Sequence, residues 1–277
     1  MKKKVWLITG CSTGFGRALA IATLKAGYLV GVAARKTADV ADIISDYPDT
    51  AVGLQLDVTK HGEVSGSVAE LIARFGSIDV VVNNAGVGYF GSVEESDEKE
   101  VRRMFEINFW GLSDVVREVL PHLRKQKSGH IINVASIGGL KSFPALAYYH
   151  ATKYAVDGFS ESLYRELSPL GINVTIIAPG AFRTDWAGRS ANDAPGTIPD
   201  YQETAEAMRT RLRGYSGTQP GDPTRAAEAI IKVVESPTPP LRLLLGADAV
   251  AGAREKLELL KTDFDTWEAV SLDVNFK

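Results

Sequence analysis

Seven short apolar runs, separated by longer amphipathic stretches, constrain the fold of this chain more than any other feature of its sequence. The runs are continuously apolar, which is typical of parallel strands covered on both faces. Parallel strands need crossover connections, and the intervening segments supply helices such as 16–27, 63–76 and 113–126. The sequence therefore predicts a doubly wound parallel α/β sheet of about seven strands, with helices on both faces. The predicted strands are VWLIT (5–9), YLVGVAA (28–34), VGLQL (52–56), IDVVVN (78–83), HIINVAS (130–136), INVTIIA (172–178) and LRLLL (241–245).

The length of the chain favours one domain over residues 1–277. It has 277 residues, of which 45% are hydrophobic, and it contains no tandem repeat or low-complexity linker. Two segments interrupt the strand–helix alternation. Residues 186–223 are rich in Gly, Pro, Ser and Asp around the helical patch 204–213, and a charged amphipathic helical tail occupies 249–277. We expect the tail to cap the sheet; an oligomer contact is the alternative.

The charge and cysteine content exclude several classes of protein. The net charge is -3 and the basic residues are scattered, so no basic stripe indicates nucleic-acid binding. The first apolar run is interrupted at Thr9 and Gly10, too early for a secretory signal, and no run reaches the ~18 residues of a membrane span. The single cysteine, Cys11, fits a reducing cytoplasm. The four histidines stand far apart without a thiolate cluster, so we expect no metal site.

A glycine-rich loop, TGCSTGFG (9–16), joins the first predicted strand to the first helix. Gly10 permits a turn that a side chain would block, and Gly14 leaves space for a phosphate to approach the backbone. Gly16 lets the helix pack closely on the sheet, and the helix N-terminus favours an anionic pyrophosphate. A glycine turn without a ligand fits the same spacing, but the position at the first strand–helix junction favours dinucleotide binding. Cys11 in this loop is interpreted as a small filler rather than a reactive thiol.

A tyrosine and a lysine share one face of the helix predicted over about 147–170. Residues four apart on a helix differ by ~40° around its axis, whereas residues five apart differ by ~140°. Tyr149 therefore shares a face with Lys153, and Tyr148 does not. A nearby cation favours the phenolate, so Lys153 and a positively charged nicotinamide ring could bring Tyr149 into the range of a useful acid or base. A Tyr–Lys pair on a solvated helix face is the alternative.

Six motifs together resemble the short-chain dehydrogenase/reductase family. They occur in the family's order and at about its spacings, over roughly residues 4–185, so the resemblance is highly specific. The motifs are TGCSTGFG (9–16), NNAG (83–86), INFWG (107–111), NVAS (133–136), YHATK (149–153) and PGAFRT (179–184).

The resemblance implies a catalytic set of four residues. Tyr149 corresponds to the family's acid/base, and Lys153 lowers its pKa and holds the nicotinamide ribose. Ser136 hydrogen-bonds the substrate oxygen, and Asn108 supports a proton-relay water near the lysine. Tyr148 is then a packing or pocket-wall residue. His150 could be mistaken for a general base, but it lies about a quarter-turn away from Tyr149.

The resemblance also implies a Rossmann-like single domain and a set of cofactor contacts. Asp57 and Val58 border the adenine, and 84–86 run along the ribose and the glycine loop. Pro179, Gly180 and Thr184 line the nicotinamide. Without the other motifs, NNAG alone would be read as a strand-terminating turn. The expected cofactor-binding residues are Gly10, Ser12, Thr13, Gly14, Phe15, Gly16, Arg35, Asp57, Val58, Asn84, Ala85, Gly86, Tyr149, Lys153, Pro179, Gly180, Phe182 and Thr184.

The end of the second strand predicts that the cofactor is NADP. Strand 28–34 runs into Arg35 and Lys36, about 20 residues beyond the glycine loop. An NAD site usually places Asp or Glu there, and that carboxylate would repel a 2′-phosphate. A guanidinium can instead pair with the phosphate through two hydrogen bonds. A solvated arginine is the alternative, and Asp39 lies beyond the strand end.

These observations predict an NADP-dependent oxidoreductase that interconverts a ketone or aldehyde and the matching alcohol. The alternatives are an NAD-dependent alcohol-oxidising dehydrogenase with the same site, and a non-catalytic dinucleotide-binding regulator. Substrate specificity is expected from 87–96 and from 186–223, which we expect to form a mobile lid. LLLGADA (243–249) replaces the Asp-Gly-Gly ending common in tetrameric members, which leaves a homodimer open.

Overall fold

The computed structural model describes residues 3–276, and a parallel sheet lies at its centre. Met1, Lys2 and Lys277, which the predicted domain includes, lie outside the described residues. Within 3–276 the sheet has seven strands in the order β3-β2-β1-β4-β6-β7-β9, and every neighbouring pair is parallel. The predicted doubly wound sheet is therefore confirmed. Its strands are β1 (Val5–Ile8), β2 (Leu29–Ala34), β3 (Ala51–Gln55), β4 (Val80–Asn83), β6 (Gly129–Val134), β7 (Ile172–Pro179) and β9 (Arg242–Leu245).

Helices cover both faces of this sheet, so its strands have no solvated side. The first face carries α1 (Gly14–Lys25), α2 (Ala41–Asp46) and α8 (Pro223–Glu235), whose apolar side chains pack with the sheet in one core cluster. The opposite face carries α3 (His61–Phe75), α5 (Gly111–Gln126) and α6 (Ala147–Leu167), which form a second cluster. Burial on both faces explains why the strands are apolar without alternation.

The strand order reverses direction between β1 and β4, and this point positions the site. The chain winds outward from β1 to β3 on one side, and from β4 to β9 on the other. In open parallel sheets, ligands bind at the carboxyl ends of the strands where the order reverses. The glycine loop follows β1 and the NNAG motif ends β4, so both lie at this crevice.

A second, two-stranded sheet was not predicted. β5 (Gly88–Phe90) pairs in parallel with β8 (Ala191–Asp193). Together with α4 (Glu98–Phe105) and α6 these strands enclose a small third cluster. Three-residue strands leave little periodicity in a sequence, which is why residues 186–223 read as irregular. That segment is ordered: β8 is followed by a 3₁₀ turn, a π-turn and α7 (Ala207–Gly214), which matches the predicted helical patch.

The tail forms one long helix, α9 (Ala247–Leu272), and it does not cap the sheet. Only Ala249 and Ala253 on this helix are buried. From Leu257 onward the large apolar side chains are exposed, for example Trp267 at 63%, except for Leu260, which is half-buried. The predicted cap is therefore wrong for most of the tail, because an apolar stripe does not reveal what covers it. Within 3–276, no helix is long and apolar enough to cross a membrane.

Candidate active site

The glycine loop needs its glycines for two different reasons. Gly10 has φ +72° and Gly14 has φ +58°, a region that residues with side chains rarely adopt. At Gly16 the reason is steric, because there is no space for a side chain. A Cβ there would come within 3.0 Å of the carbonyl oxygen of Gly10 and of the Asn84 amide. The glycine spacing noted in the sequence is therefore required by the loop's own geometry.

The N-terminus of α1 is suited to an anion. Its N-cap, Thr13, makes no side-chain cap, and the first turn carries no acidic residue. The first backbone N–H groups and the helix dipole therefore favour a negative group. A side chain at Gly14 would meet Thr184 across the cleft, at 3.4 Å. The glycine loop and the uncapped N-terminus of α1 fit the pyrophosphate of a dinucleotide.

Asn84 ties the end of β4 to the glycine loop. Its Nδ2 donates to the carbonyl oxygens of Thr9, at 2.9 Å, and Gly10, at 3.2 Å. The backbone N–H groups of Asn84 and Ala85 both donate to the Thr9 hydroxyl, at 3.0 Å. Asn84 thus fixes the shape of the loop through its side chain and its backbone.

Tyr149, Lys153 and Ser136 converge at the bottom of the crevice. Tyr149 is 6% exposed, and its hydroxyl lies close enough to Ser136, which follows β6, for Ser136 to act on its pKa. The Lys153 ammonium lies one helical turn away, 5.8 Å from the centroid of the Tyr149 ring, and donates to the carbonyl oxygen of Val134 at 2.9 Å. Tyr148 is half-buried and packs beside the third cluster. The structure thus brings together the tyrosine and the lysine that helical geometry selected.

Burial dominates the protonation of this pair. It raises the pKa of Tyr149 to about 12, although the Ser136 hydrogen bond acts in the opposite direction. It also lowers the pKa of Lys153 to about 8. The sequence argument counted the lysine charge and expected a lowered tyrosine pKa. Desolvation of the Tyr149 hydroxyl dominates instead, so its pKa rises and Tyr149 is a neutral hydroxyl at neutral pH.

Asn108 lies behind the pair in a π-helical turn, Glu106–Trp110, between α4 and α5. Its Oδ1 accepts from the Val87 N–H at 2.8 Å, and its Nδ2 donates to the Val87 carbonyl and to the Thr152 hydroxyl. These bonds use all the side chain's strong donors and one acceptor site, and the residue is 1% exposed. π-turns occur frequently at functional sites. Here the turn places the amide so that it holds the chain after β4 against α6.

His150 supports the site but is not placed as a base. Its Nε2 accepts from the Phe143 N–H at 2.9 Å, so Nδ1 carries the proton and donates to the Gly138 carbonyl at 2.9 Å. Burial lowers its pKa, which keeps the ring neutral. The Gly138 N–H in turn donates to the Ser136 hydroxyl at 3.0 Å. His150 therefore fixes the loop that carries Ser136.

The segment after β7 closes one side of the cleft. The Gly180 N–H donates to the Leu245 carbonyl at 2.8 Å, and the Ala181 N–H donates to the Asp248 carboxylate at 2.7 Å. A Cβ on Gly180 would lie within 3.0 Å of that carboxylate. Asp248, in the first turn of α9, is a residue that the sequence analysis missed. Its signal was the GAD triplet directly after the last strand.

Phe15 and Phe182, both expected at the cofactor, meet across the cleft with ring centroids 4.9 Å apart. They help to enclose a cavity of about 680 Å³ at the carboxyl edge of the sheet. We call the cavity side formed by 10–16, 84–86 and 179–184 the nucleotide wall. The predicted site residues that line the cavity are Gly10, Thr13, Gly14, Phe15, Asn84, Gly86, Ser136, Tyr149, Lys153, Pro179, Gly180, Phe182 and Thr184.

The remaining predicted residues lie outside this cavity. Ser12 and Ala85 are in loops and Gly16 is in the first turn of α1, and each is next in sequence to residues that line the cavity. The Asp57 carboxylate accepts from the Thr59 N–H and hydroxyl, which shapes the turn after β3. Val58 is buried, with 6% of its surface exposed, and packs against the start of α5. These positions border the crevice without forming its surface.

Arg35 directly follows β2 and is exposed. Within 3–276, its guanidinium makes no hydrogen bond or ion pair. Arg17, in the first turns of α1, is engaged by the Asp42 carboxylate and the Asp39 carbonyl, whereas Lys36, next to Arg35, is exposed. Arg35 is therefore a free cation at the same edge of the sheet as the glycine loop.

The other side of the cavity, which we call the substrate wall, consists of its lining residues from 186–220 with Phe143 and Leu146. The Trp186 ring packs on Tyr149, with centroids 4.9 Å apart. The wall is mainly apolar, and its other chemistry-bearing members were not predicted individually. Their only signal was their place after the sixth predicted strand. They are Ser190, Met208, Arg211, Leu212, Tyr215 and Gln219.

Cys11 makes no contribution to the cavity surface. Its thiol donates to the Ile8 carbonyl at 3.0 Å, and burial raises its pKa to about 12. It therefore packs as a small apolar side chain. Among the described residues, no three His, Cys, Asp or Glu side chains are grouped so as to hold a metal ion.

The glycine loop and the buried Tyr–Lys–Ser set lie where the strand order of a parallel sheet reverses. Together they define a nucleotide-dependent oxidoreductase. The short chain dehydrogenase family model matches residues 4–195, and the chain belongs to that family. A fungal relative, oxidoreductase BOA17 of Botryotinia fuckeliana, is 40% identical over 97% of this chain and 98% of its own.

Solved structures show the same fold. A short-chain dehydrogenase from Streptomyces avermitilis superposes with a TM-score of 0.93 at 40% identity, over 99% of this chain and 98% of its own. A Burkholderia phymatum enzyme in complex with NAD gives 0.81 at 25% identity, over 94% and 95%. An alcohol dehydrogenase from Thermococcus sibiricus complexed with 5-hydroxy-NADP gives 0.73 at 27% identity, over 88% and 96%. Structural relatives thus bind NAD in one case and an NADP derivative in another.

Proposed function

We propose that this protein is an NADP-dependent carbonyl reductase that converts a ketone or aldehyde into the matching alcohol. One observation carries the proposal: a neutral, buried Tyr149 hydroxyl, close to Ser136 and one turn from Lys153, opens into the cavity that the glycine loop also lines. The lone buried Cys11 agrees with a cytoplasmic location.

The nucleotide wall supplies binding and orientation. The bare N-terminus of α1 would hold the pyrophosphate, and Pro179, Gly180 and Thr184 would hold the nicotinamide end. When bound, the reduced nicotinamide supplies a hydride to the carbonyl carbon. Asn84 acts indirectly, because it keeps the glycine loop in shape through the bonds described above.

The proton comes from the protein. Ser136 would hold the carbonyl oxygen of the substrate, and Tyr149 would donate its phenolic proton to that oxygen. The resulting phenolate is stabilised by the Lys153 ammonium beside it. Because burial raises the pKa of Tyr149 to about 12, the tyrosine carries its proton at neutral pH, and it can donate that proton once Lys153 stabilises the phenolate. Alcohol oxidation would use the same residues in reverse.

Arg35 is the residue that we propose reads the 2′-phosphate. It is exposed and unpaired at the end of β2, and no carboxylate occupies that strand end. An arginine pairs well with a phosphate, whereas an NAD site would place an acid there. A charge-assisted hydrogen bond contributes ~1.5–3 kcal/mol, so NADPH should be preferred by at least ~10-fold in kcat/KM.

Residues 186–223 would act as a lid over the substrate. β8, inside this segment, is paired with β5, but beyond β8 the segment is attached to the chain after β5 by polar contacts: Glu95 accepts from the Ile198 N–H at 2.8 Å, and the Tyr201 hydroxyl donates to Glu94. Water can replace such contacts at little cost, so the part beyond β8 can open. Hydrogen exchange with and without NADPH and a product alcohol tests this. Equally strong protection in both states would contradict a lid.

The decisive experiment compares the two cofactors. Consumption of NADPH and NADH is followed with a panel of ketones and aldehydes, for the parent, Arg35→Asp and the control Lys36→Asp. The parent should prefer NADPH, Arg35→Asp should lose or reverse that preference, and the control should keep it. No turnover of any carbonyl, with tight nucleotide binding, would favour a non-catalytic regulator. Equal use of both cofactors by the parent would show that Arg35 does not read a phosphate.

A further inference from the structure

The outer part of α9 concentrates the exposed apolar side chains of the protein. Within 3–276, fourteen large hydrophobic residues are exposed, and eight of them lie between 257 and 276. Phe264 is 67% exposed and Trp267 is 63% exposed. Single exposed apolar residues are normal on a surface, but such a concentration marks an interaction site.

Three of these residues form a seam along the helix together with Leu260, which is half-buried. Leu257, Leu260, Phe264 and Trp267 follow one another at alternating spacings of three and four residues, so they lie on one face. The same face carries Ala249 and Ala253 two turns earlier, where it is buried against the body of the protein. The packed face therefore continues outward as an uncovered coiled-coil seam.

We propose that this seam pairs with the same seam of a second copy of the chain, in antiparallel orientation. A seam centred between Phe264 and Trp267 places each phenylalanine against the tryptophan of the other copy. A two-fold axis relates the two contacts, as in most homodimers.

The flanking charges select this arrangement. Lys261 and Glu268 lie on one flank of the seam, and Lys256 and Asp263 lie on the other. In an antiparallel pair each flank faces the same flank of the other copy, so Lys261 meets Glu268 twice. In a parallel pair the opposite flanks meet, which places Lys256 against Lys261 and Asp263 against Glu268. Flanking charges determine orientation in coiled coils, and only the antiparallel pair avoids like charges.

The available area is sufficient for a dimer of moderate affinity. With about two thirds of each ring exposed, the four aromatic rings of two copies would bury roughly 400–650 Å². The leucines of both copies and the stems of the flanking side chains add to this. The total approaches the lower end of the ~1,200–2,000 Å² that stable interfaces bury.

A lipid surface fits this helix less well. Residues 254–276 contain three Lys or Arg residues and six Asp or Glu residues, a net charge of 3 - 6 = -3. Helices that lie on anionic membranes are rich in Lys and Arg on their polar face. The acidic tail therefore favours a protein partner with the same seam.

Sedimentation of the full-length protein, without cofactor, tests the proposal. The parent should be a multiple of its 29.8 kDa mass with an even number of chains, and Phe264→Asp with Trp267→Asp should halve that number. Both side chains are exposed, so the variant should keep its fold and its nucleotide affinity. A monomeric parent, or a double variant with the parent's mass, would overturn the proposal. So would a monomeric parent that co-sediments with phosphatidylcholine–phosphatidylserine vesicles, which would assign the seam to lipid.

A charge swap tests the orientation. Lys261→Glu should raise the dissociation constant of the pair at least ~10-fold, since two carboxylates then face each other at both ends. Adding Glu268→Lys should restore it to within several-fold of the parent. Lys261 also forms an ion pair with Asp265 on its own helix, so Asp265→Asn is the control and should change little. Failure of the second swap to restore association would overturn the antiparallel arrangement.

Discussion

The two walls of the cavity are built in different ways. The nucleotide wall consists of strand ends and glycine turns, tied by backbone hydrogen bonds such as those from the Thr9 N–H to the Val82 carbonyl and from the Cys11 N–H to the Ala33 carbonyl. The substrate wall is tied to the rest of the protein by the short β5–β8 pairing, and otherwise largely by arginine side chains. Arg213 alone donates to the carbonyls of Ala187 and Ala191 and to the Asp193 carboxylate.

This difference teaches where the protein can vary. Bonds within the backbone depend on the chain's path, and at the glycine loop that path fixes the residue types. Bonds from a few long side chains can be rearranged without changing the sheet. The nucleotide wall is therefore specified by spacing, and the substrate wall by a handful of contacts that can differ between relatives with one fold.

The largest effect should come from Tyr149, which lies at the bottom of the cavity between the two walls. Tyr149→Phe removes the proton donor and should lower kcat by at least ~10²-fold, with the dissociation constant for NADPH little changed. Tyr148→Phe, its neighbour on another helix face, should stay within several-fold of the parent. Steady-state kinetics with nucleotide binding decide this. Comparable losses in both variants would remove the distinction between the two tyrosines.

The buried charge of Lys153, at the bottom of the cavity, should also destabilise the folded protein, which the nucleotide wall does not. Burial lowers the pKa of Lys153 from 10.5 to about 8, so the charged lysine destabilises the protein below pH 8. Lys153→Met should abolish turnover yet raise the free energy of unfolding at pH 7 by ~1–3 kcal/mol, after the lost bond to Val134 is deducted.

The pH dependence of that gain follows from the sign of the shift. The unfolded lysine binds its proton up to pH 10.5 and the folded lysine only up to about 8, so the parent becomes relatively more stable between these values. The advantage of Lys153→Met should therefore be full below pH 8 and disappear above ~10.5. Urea denaturation at several pH values measures it. A gain independent of pH would mean that packing, not charge burial, is responsible.

His150 should affect catalysis through position alone. His150→Phe leaves the Gly138 carbonyl and the Phe143 N–H without their partner, which costs ~1–3 kcal/mol each and frees the Ser136 loop. We expect kcat to fall ~10-fold while the pH profile keeps its shape. His61→Phe, at an exposed position, should change neither quantity. Loss of one limb of the pH profile would instead make His150 a base.

The smallest expected effect is a change in KM for the carbonyl alone, and it tests most directly whether the two walls act independently. Arg213→Met removes the main attachment of the substrate wall and should raise KM for the carbonyl ~3–10-fold, with NADPH binding unchanged. Arg189→Met is the control, because Arg189 makes only an exposed ion pair with Asp185. A matching loss of NADPH affinity in Arg213→Met would show that the two walls are one mechanical unit.

The sequence predicted the parts of the molecule whose causes are local. Continuous apolar runs located all seven strands of the main sheet, and helical spacing distinguished Tyr149 from Tyr148. Burial on both strand faces and the angle per helical residue are properties of the chain itself, so they can be read before the fold is known.

Other features depend on contacts that no local pattern records. The two strands β5 and β8 exist because residues a hundred positions apart meet. The role of Asp248 depends on where the last helix begins relative to Gly180. The pKa of Tyr149 shifts upward because burial, which spacing does not measure, outweighs the lowering effect of Ser136.

The position of α9 has a consequence for how the protein responds to dilution. Asp248, Ala251, Gly252 and Glu255 in its first turns line the cavity, while its outer turns carry the seam. A helix of 26 residues is a stiff rod of ~39 Å, so a contact that fixes its outer turns also restrains its first turns at the cavity. If copies pair through the seam, the affinity for substrate becomes a function of protein concentration. Assays at low enzyme concentration should then report a higher KM than assays near cellular abundance.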